Sequence, residues 1–545
     1  MKKVVAFFLS AVMALAMSCT VFATSTDTGT PVTPIKDNKQ ASMENHTFTA
    51  YQLFIGEQGS DHTIIKINWG DGINAEAFLA ALKADSTIGS QFTGITYQAS
   101  ASAETGINRC ADAIARVVSK WSNDSDYARA FARIADANKK GNGYEVNATL
   151  AAGYYLVVDT TNFGSNFTGD QVKNLSILQM TAEHTFRPES KTDVPTLTKK
   201  VKEVNDSDVV VRDQWGDVAD YDIGDDVEFR LTGTLPADYA SYTKYKYVFH
   251  DTLGQALKFN NNVVVTVKNG TTETKLTEGQ YTVFADGQTF SVTIEDLKKL
   301  QNVTINANTE IIVDYTAELL GGDNITYGTG ITNTAYLEYS NNSNPGGDGE
   351  TGRTPDDKVV VFTFKMVVNK IDENQNALAG AEFTLYKMKK QSGSTALVET
   401  DKTWTVVASG DGKNVFNFEG LDAGEYKLVE TKVPAGYNQA EDMYFTVTAT
   451  YTTDEVPSIA TLTVSDVKDK DGNVIMDASD STKKGFTISV NEDNATLSTN
   501  IVNLKGILLP STGGIGTTIF YVLGTILVLG AGILLVTRKR MSKSE

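Results

Sequence analysis

The chain has 545 residues, which at ordinary domain sizes predicts about three or four domains. Its 41% hydrophobic and 21% charged residues exclude wholesale disorder and collagen-like repeats. Because 67 acidic residues outnumber 48 basic ones, the net charge is -19, which argues against a nucleic-acid-binding role. Two cysteines cannot build a disulfide framework, and the four histidines lack metal-ligand spacing, so we expect no metal and no cofactor.

The first 23 residues have the layout of a secretory signal peptide. Lys2 and Lys3 precede the apolar run 4–17, and Val21-Phe22-Ala23 offers small or apolar residues to signal peptidase. We therefore expect export of the chain and removal of residues 1–23.

The other end of the chain is typical of a membrane span. Residues 515–536 form an almost uninterrupted apolar run, which at about 1.5 Å per residue is long enough to cross a bilayer core of about 30 Å. Arg538, Lys539 and Arg540 follow at once. These cations predict a cytoplasmic tail, so the chain before the span is expected outside the cell.

The pentapeptide Leu509-Pro510-Ser511-Thr512-Gly513 stands just before this span. With the span and the basic tail it resembles a Gram-positive cell-wall sorting signal of the LPXTG type. The resemblance implies a sortase substrate that is cut between Thr512 and Gly513. The Thr512 carbonyl is then held as a thioester on the enzyme's cysteine until an amine takes it. A plain membrane anchor with a Pro-Gly hinge is the alternative.

Three domains are expected between the two ends. Residues 24–190 combine strand-like segments with helical apolar spacing around Cys110, which predicts a mixed α+β domain with a buried cysteine. Residues 191–354 and 355–506 consist mostly of alternating or β-branched segments, which predicts Ig-like β-sandwiches. Residues 507–545 hold the sorting signal and transmembrane helix. The expected fold class is mainly β, with tandem sandwiches after a mixed α+β N-terminal domain.

Strand parity aligns an amine, a carboxyl and a carboxamide with apolar faces of the last domain. Each shares its strand face with an apolar neighbour: Lys370 with Val368, Glu430 with Leu428, and Asn503 with Ile501. Here the sequence resembles the Cna B-type domain, in which such a trio forms an intramolecular isopeptide bond.

Burial favours this chemistry, because it lowers the pKa of an amine and raises that of a carboxyl until both are neutral. The resemblance implies that Glu430 assists the attack of Lys370 on Asn503, with ammonia leaving. The alternative is three unconnected residues, with the lysine and the acid exposed and merely paired.

The middle sandwich repeats the arrangement less clearly. Lys199 shares a strand face with Leu197 and Val201, so it is predicted to be an inward-facing amine. By resemblance to the middle domains of major pilins, Asn333 is its partner and Asp251 is the assisting acid. Ordinary strand residues are the alternative here.

Taken together, these features resemble a Gram-positive major pilin, the shaft subunit of a sortase-assembled pilus. Such a subunit needs an exposed lysine that attacks Thr512 of its neighbour, usually in a Tyr-Pro-Lys motif. This sequence departs from that motif and offers Arg187-Pro188-Glu189-Ser190-Lys191 instead. We expect Lys191 to be the polymerisation lysine, with Lys200 and Lys202 as alternatives.

The resemblance also implies the partners and the location of the chain. The partners are pilus-specific and housekeeping sortases, identical subunits, minor pilins and peptidoglycan. The resemblance does not identify a host ligand. The subunit would be exported, anchored to the cell wall and engaged in adhesion. We find no nucleophile or paired-carboxylate motif in the first domain, so no enzyme activity is expected. The main alternative is a monomeric wall-anchored adhesin, which would lack an acceptor lysine and a polymer ladder.

Overall fold

Strands dominate the structure, a computed structural model. The residues that it describes are 45–59, 63–122, 125–145, 150–164, 167, 170–173, 177–181, 193–208, 214–344, 347–392, 394, 396–476, 486–491, 494–506 and 515–541. Within these ranges, the α-helices lie in the N-terminal domain and at the C-terminal end. The predicted mainly β class is therefore confirmed.

The N-terminal domain combines a sheet with helices. Its elements are β1 (Phe48–Gln58), β2 (Ile64–Trp69), α1 (Ala75–Ala84), a 3-10 turn (Gly89–Phe92), α2 (Arg109–Val118), α3 (Asp126–Ala137), β3 (Tyr144–Glu145), β4 (Gly153–Asp159) and β5 (Ile177–Thr181). The strands pair in the order β2-β1-β4-β5, and β3 also pairs with β1. Asn108 caps α2 by accepting hydrogen bonds from the amides of Cys110 and Ala111. Cys110 is buried in the apolar core, as its helical spacing predicts.

The middle domain is a β-sandwich. Its elements are β6 (Leu197–Glu203), β7 (Gln214–Gly216), β8 (Val218–Asp220), β9 (Asp226–Thr234), a 3-10 turn (Tyr239–Ser241), β10 (Tyr247–Thr252), β11 (Leu257–Phe259), β12 (Val264–Asn269), β13 (Thr272–Lys275), β14 (Thr282–Asp286), β15 (Thr289–Ile294), a 3-10 turn (Leu297–Lys299), β16 (Thr309–Leu319), β17 (Ile331–Ser340), β18 (Thr351–Arg353) and β19 (Asp357–Phe362). One sheet has the order β14-β15-β10-β17-β19-β8, with β18 on β17, and the other β13-β12-β16-β9-β6-β7, with β11 on β16. Burial alternates along β9 and β17, so each sheet presents one apolar face to the core.

The last domain is also built from sheets of alternating strands. Its elements are β20 (Phe364–Asp372), β21 (Glu382–Lys390), β22 (Leu397–Val406), β23 (Val415–Leu421), β24 (Gly424–Lys432), β25 (Met443–Tyr451), β26 (Ile459–Val464), β27 (Val467–Lys468), β28 (Val474–Met476), β29 (Thr487–Asn491) and β30 (Asn494–Asn503). One sheet has the order β23-β20-β30-β29, and the other β22-β21-β24-β25-β27-β28, with β26 on β25. The first and last strands, β20 and β30, are parallel neighbours, which places Lys370 opposite Ile501.

The boundary between the two sandwiches differs from the expected one. β19 pairs with β17 and, in parallel, with β8, so residues 357–362 belong to the middle sandwich. The predicted boundary between residues 354 and 355 is therefore wrong. An apolar run is compatible with either neighbouring sheet, and its pairing partner is a tertiary property. β20 begins at Phe364, so Thr363 alone separates the strands of the two domains.

A long helix, α4 (Ile515–Met541), ends the described chain. Its segment Phe520–Arg540 has a mean hydropathy of 2.3 and is long and apolar enough to cross a membrane, as predicted. The predicted signal peptide (1–23), Lys191 and the pentapeptide 509–513 lie outside the described residues.

Candidate functional site

The amine, acid and amide predicted in the last domain are all buried. Lys370 and Glu430 are 0% exposed and Asn503 is 1% exposed. Lys370 lies on β20 and Asn503 on the adjacent β30, while Glu430 comes from β24 in the other sheet. All three side chains therefore lie in the interior of the sandwich, where a charged group is costly.

Glu430 and Asn503 are in direct contact. The Asn503 Nδ2 donates to Glu430 Oε1 at 2.8 Å and to Oε2 at 3.1 Å, and the Ala440 amide donates to Oε2 at 2.8 Å. Within the described part of the chain, Asn503 Oδ1 is buried without a hydrogen-bond partner. A buried carbonyl oxygen without a hydrogen-bond partner is rare in a folded interior, and one reason for such an atom is a chemical role.

Lys370 lies against backbone carbonyls rather than against the acid. Its Nζ donates to the carbonyl oxygens of Ile501 at 2.9 Å and Ile371 at 3.3 Å. Burial lowers the pKa of Lys370 to about 8, although the charge of Glu430 opposes this shift. The amine is therefore neutral, and nucleophilic, far more often than an exposed lysine at the same pH.

The trio predicted in the middle sandwich also meets in the interior. Lys199 and Asn333 are 0% exposed and Asp251 is 2% exposed. Lys199 lies on β6 of one sheet, whereas Asp251 and Asn333 lie on the paired strands β10 and β17 of the other. The Lys199 Nζ contacts Asp251 Oδ2 directly. The cluster thus spans the gap between the two sheets.

Tyr315 joins this cluster, and the sequence analysis missed it. Its hydroxyl accepts from Lys199 Nζ at 2.9 Å and from Asn333 Nδ2 at 2.9 Å, and it donates to Asp251 Oδ2 at 2.8 Å. The alternation along β16 indicates an inward side chain at this position. An inward tyrosine is usually ordinary core, so strand parity alone does not identify a functional hydroxyl.

Burial pushes both titratable partners of the middle cluster toward their neutral forms. It lowers the pKa of Lys199, opposed by the charge of Asp251, and it raises the pKa of Asp251, opposed by Lys199. Among the described residues, Asp251 Oδ1 and Asn333 Oδ1 have no hydrogen-bond partner. A neutral amine, a carboxylic acid and an amide with a free carbonyl are the three groups that amide exchange requires.

Two alternative polymerisation lysines lie on the outer face of β6. Lys200 pairs with Asp217, and Lys202 lies 3.1 Å from Glu228 Oε2. Their side chains are 33% and 18% exposed. Both amines are therefore engaged in ion pairs.

Two family models match the C-terminal half of the chain. Residues 364–459 match the SpaA model, described as a prealbumin-like fold domain, and residues 505–543 match the LPXTG cell wall anchor motif. The first match begins where β20 begins, and the second contains the predicted sorting pentapeptide. The expected cell-wall sorting signal is thus confirmed.

The chain resembles surface proteins of Gram-positive bacteria over longer stretches. It is 30% identical over 254 residues to fimbrial subunit type 2 of Actinomyces naeslundii, a match that covers 40% of this chain and 46% of the relative. It is 28% identical over 414 residues to the trypsin-resistant surface T6 protein of Streptococcus pyogenes serotype M6, covering 64% of this chain and 70% of the relative. The solved T6 backbone pilin of serotype M6 Streptococcus pyogenes aligns with 86% of this chain and 98% of its own length, with a TM-score of 0.45 and 18% identity.

The prealbumin-like domain and the LPXTG anchor define a cell-wall-anchored bacterial surface protein. More narrowly, it is similar to fimbrial subunit type 2 of Actinomyces naeslundii, and its match spans about half the length of that relative.

The amide expected between Lys199 and Asn333 should form at least about tenfold more slowly when Tyr315 is replaced with phenylalanine, because the hydroxyl is the group that contacts the amine, the acid and the asparagine together. Intact-mass spectrometry at successive times after cell-free synthesis would follow the loss of one ammonia. Tyr327→Phe is the control, since Tyr327 is a buried tyrosine of the same domain outside the cluster. Equal rates in both variants would remove Tyr315 from the chemistry.

The pKa of Lys370 predicts a pH-dependent unfolding free energy in a variant that cannot form the expected bond between Lys370 and Asn503. In Asn503→Ala the amine stays free, with a pKa of about 8 when folded and 10.5 as the ordinary value. The unfolded chain then binds more protons between these values, so the unfolding free energy should rise with pH across this window by about 3 kcal/mol. Denaturant titrations at a series of pH values would measure the rise. The double variant Asn503→Ala/Lys370→Met should lack it, and an equal rise there would contradict the assignment.

Proposed function

We propose that the chain is the shaft subunit of a covalent cell-surface pilus that supports adhesion. A sortase cleaves between Thr512 and Gly513 and transfers the Thr512 acyl group to Lys191 of the next subunit. Repetition builds a head-to-tail filament, and a last transfer attaches it to peptidoglycan. One observation supports this proposal most directly. The same chain has a sorting signal and two tandem sandwiches, each of which encloses a lysine, an acid and an asparagine.

The buried clusters would stiffen the subunit by forming intramolecular isopeptide bonds. In the last domain the neutral Lys370 Nζ attacks Asn503 Cγ, and the acid of Glu430 donates a proton to the amide. A new C–N bond forms and the old one breaks: the asparagine NH2 group takes the proton from Glu430 and leaves as ammonia, and Glu430 takes back one of the two protons of the lysine nitrogen. Lys199, Asn333 and Asp251 would act in the same way in the middle domain, with Tyr315 relaying protons.

The orientation of the Asn503 amide bears on this mechanism. Its Nδ2 points to Glu430, whereas attack needs the protonated acid to polarise Oδ1. A half-turn about the Cβ–Cγ bond exchanges the two amide atoms and brings Oδ1 to the acid. The bond would then tie β20 directly to β30, so a force that enters the domain at one end passes to the other through an amide.

In this proposal the chain is structural and turns over no substrate, because each cluster reacts once with itself. Its partners are a pilus-specific sortase, a housekeeping sortase, minor pilins and identical subunits. The test is immunoblotting of cell-wall extracts after boiling in detergent. A ladder of covalent multimers supports a shaft subunit, whereas a single wall-bound band would favour a monomeric adhesin.

A further inference from the structure

The joint between the middle and last domains contains a second set of buried charges. β19 of the middle domain and β20 of the last are separated by Thr363 alone. Segments 203–208 and 216–225 of the middle domain face residues 420–426 of the last domain across this joint. These charges belong neither to the isopeptide clusters nor to the sorting signal.

Backbone amides of the last domain donate hydrogen bonds to side chains of the middle domain. The loop before β24 and the start of that strand donate three such hydrogen bonds, from Asp422 to Asp222 at 2.9 Å, from Ala423 to Asp220, and from Glu425 to Ser207 at 2.8 Å. In the opposite direction, the Ile223 amide donates to the Gly420 carbonyl at 3.1 Å. Bonds in both directions hold the loop in one register.

Gly424 shows how closely the surfaces approach. A Cβ at this position would lie 2.6 Å from Ser207 Oγ and 2.7 Å from Lys387 Nζ. Real carbon contacts are not that short, so a side chain here would displace the Ser207 hydroxyl and the Lys387 amine from these positions.

Lys387 lies at the centre of the joint, with its side chain 0% exposed. Its Nζ contacts the carboxylate of Asp422 and lies 3.1 Å from Asp206 Oδ1, 3.7 Å from Asp222 Oδ2 and 3.2 Å from the Tyr426 hydroxyl. Asp422 and Tyr426 belong to the last domain, whereas Asp206 and Asp222 belong to the middle one. The ammonium therefore bridges both domains.

Lys402 approaches the same carboxylates from the rim. Its Nζ lies 3.0 Å from Asp206 Oδ2, 3.1 Å from Asp222 Oδ2 and 2.6 Å from Asp225 Oδ1, all in the middle domain. Burial alone lowers the pKa of Lys402, but the facing carboxylates outweigh this effect and raise it. The amine stays charged, unlike the amines of the isopeptide clusters.

We infer that Lys387, Lys402 and the facing aspartates form an ionic lock that makes the middle and last domains a single rigid body. Separation of the domains would expose the loop amides and leave buried carboxylates without their cations, which is unfavourable while the rest stays folded. The lock goes beyond the pilus assignment and does not depend on it. Lys402 acts as a positioning residue, because it holds Asp222, which accepts the Asp422 amide of the loop.

Hydrogen exchange of the full exported chain tests the lock, with the peptide that covers residues 420–426 as the readout. In Lys402→Met its amides should exchange at least about tenfold faster than in the wild type. Lys427→Met is the matched control, since Lys427 is a partly buried lysine of the same domain whose carboxylate partners, Glu399 and Asp442, belong to that domain too. Exchange in the control should match the wild type.

Asp222→Asn is the second variant, because it keeps the shape of the side chain and removes one charge. It should also accelerate exchange in residues 420–426, while β16 and β30 stay protected and report intact sandwiches. If neither variant accelerates exchange, or if Lys427→Met accelerates it equally, the lock is refuted. Intact mass gives an independent check: loss of a water molecule that Lys387→Met restores would mean an amide between Lys387 and Asp422, and would overturn the ionic assignment.

Discussion

Glu430→Ala should restore the mass of one ammonia to the exported chain and strongly destabilise the last domain. The wild type is expected to weigh less than its sequence by one ammonia for each isopeptide bond, two in all. Without its acid, Lys370 stays a free amine and the link across residues 370–503 is missing. By the loop-closure relation for disulfides, that link contributes about 5 kcal/mol, so the melting temperature should fall by on the order of 10 to 20 °C. Intact-mass spectrometry and calorimetry measure the two effects.

Glu419→Gln provides the control for this experiment. Glu419 lies in the same domain but is 49% exposed and pairs with Lys365 at the surface. The variant should keep both ammonia losses and a melting temperature close to that of the wild type. A wild-type chain with its full calculated mass would falsify both isopeptide assignments, and a cross-linked Glu430→Ala chain would remove the acid from the mechanism.

Lys191→Ala should abolish the high-mass ladder in the cell wall while leaving a folded monomer. In the proposed assembly Thr512 is the acyl donor, and its acceptor must be an exposed amine. Lys199 and Lys370 are buried, so a sortase cannot reach them. Immunoblotting would detect the lost ladder, and tryptic digestion of wild-type pili should yield a peptide that joins Thr512 of one chain to Lys191 of the next.

Lys200→Ala and Lys202→Ala are the matched controls for this variant. Both lysines follow Lys191 closely in sequence but are paired with Asp217 and Glu228. Both variants should keep the ladder. If Lys191→Ala cells still polymerise the subunit and one of the two controls does not, that control marks the true acceptor.

Much of the architecture follows from local patterns along the chain. The apolar span with its basic tail and preceding pentapeptide is a linear signal, so it needs no fold to be recognised. The alternation of apolar residues predicts tandem sandwiches because side chains of a strand point to opposite faces. The same period places Lys199, Lys370 and Asn503 on inward faces, and all three are buried.

The tertiary structure decided which strands become neighbours, and no local period encodes that choice. β19 could have paired in either sandwich, and its pairing with β17 moves the boundary to Thr363. Tyr315 reads as ordinary core until β16 faces β10 and brings its hydroxyl to Asp251.

The charges of the joint show most clearly what local sequence patterns do not predict. Lys387 and Lys402 lie in strands and carry no motif in the sequence, whereas their partners Asp206, Asp222 and Asp225 are about 180 residues away. The sequence by itself thus determined the anchor, the fold class and the inward faces, because these depend on residues close together in the chain. The cluster around Tyr315 and the lock between the domains depend on which surfaces meet, and only packing of the whole chain brings those surfaces together.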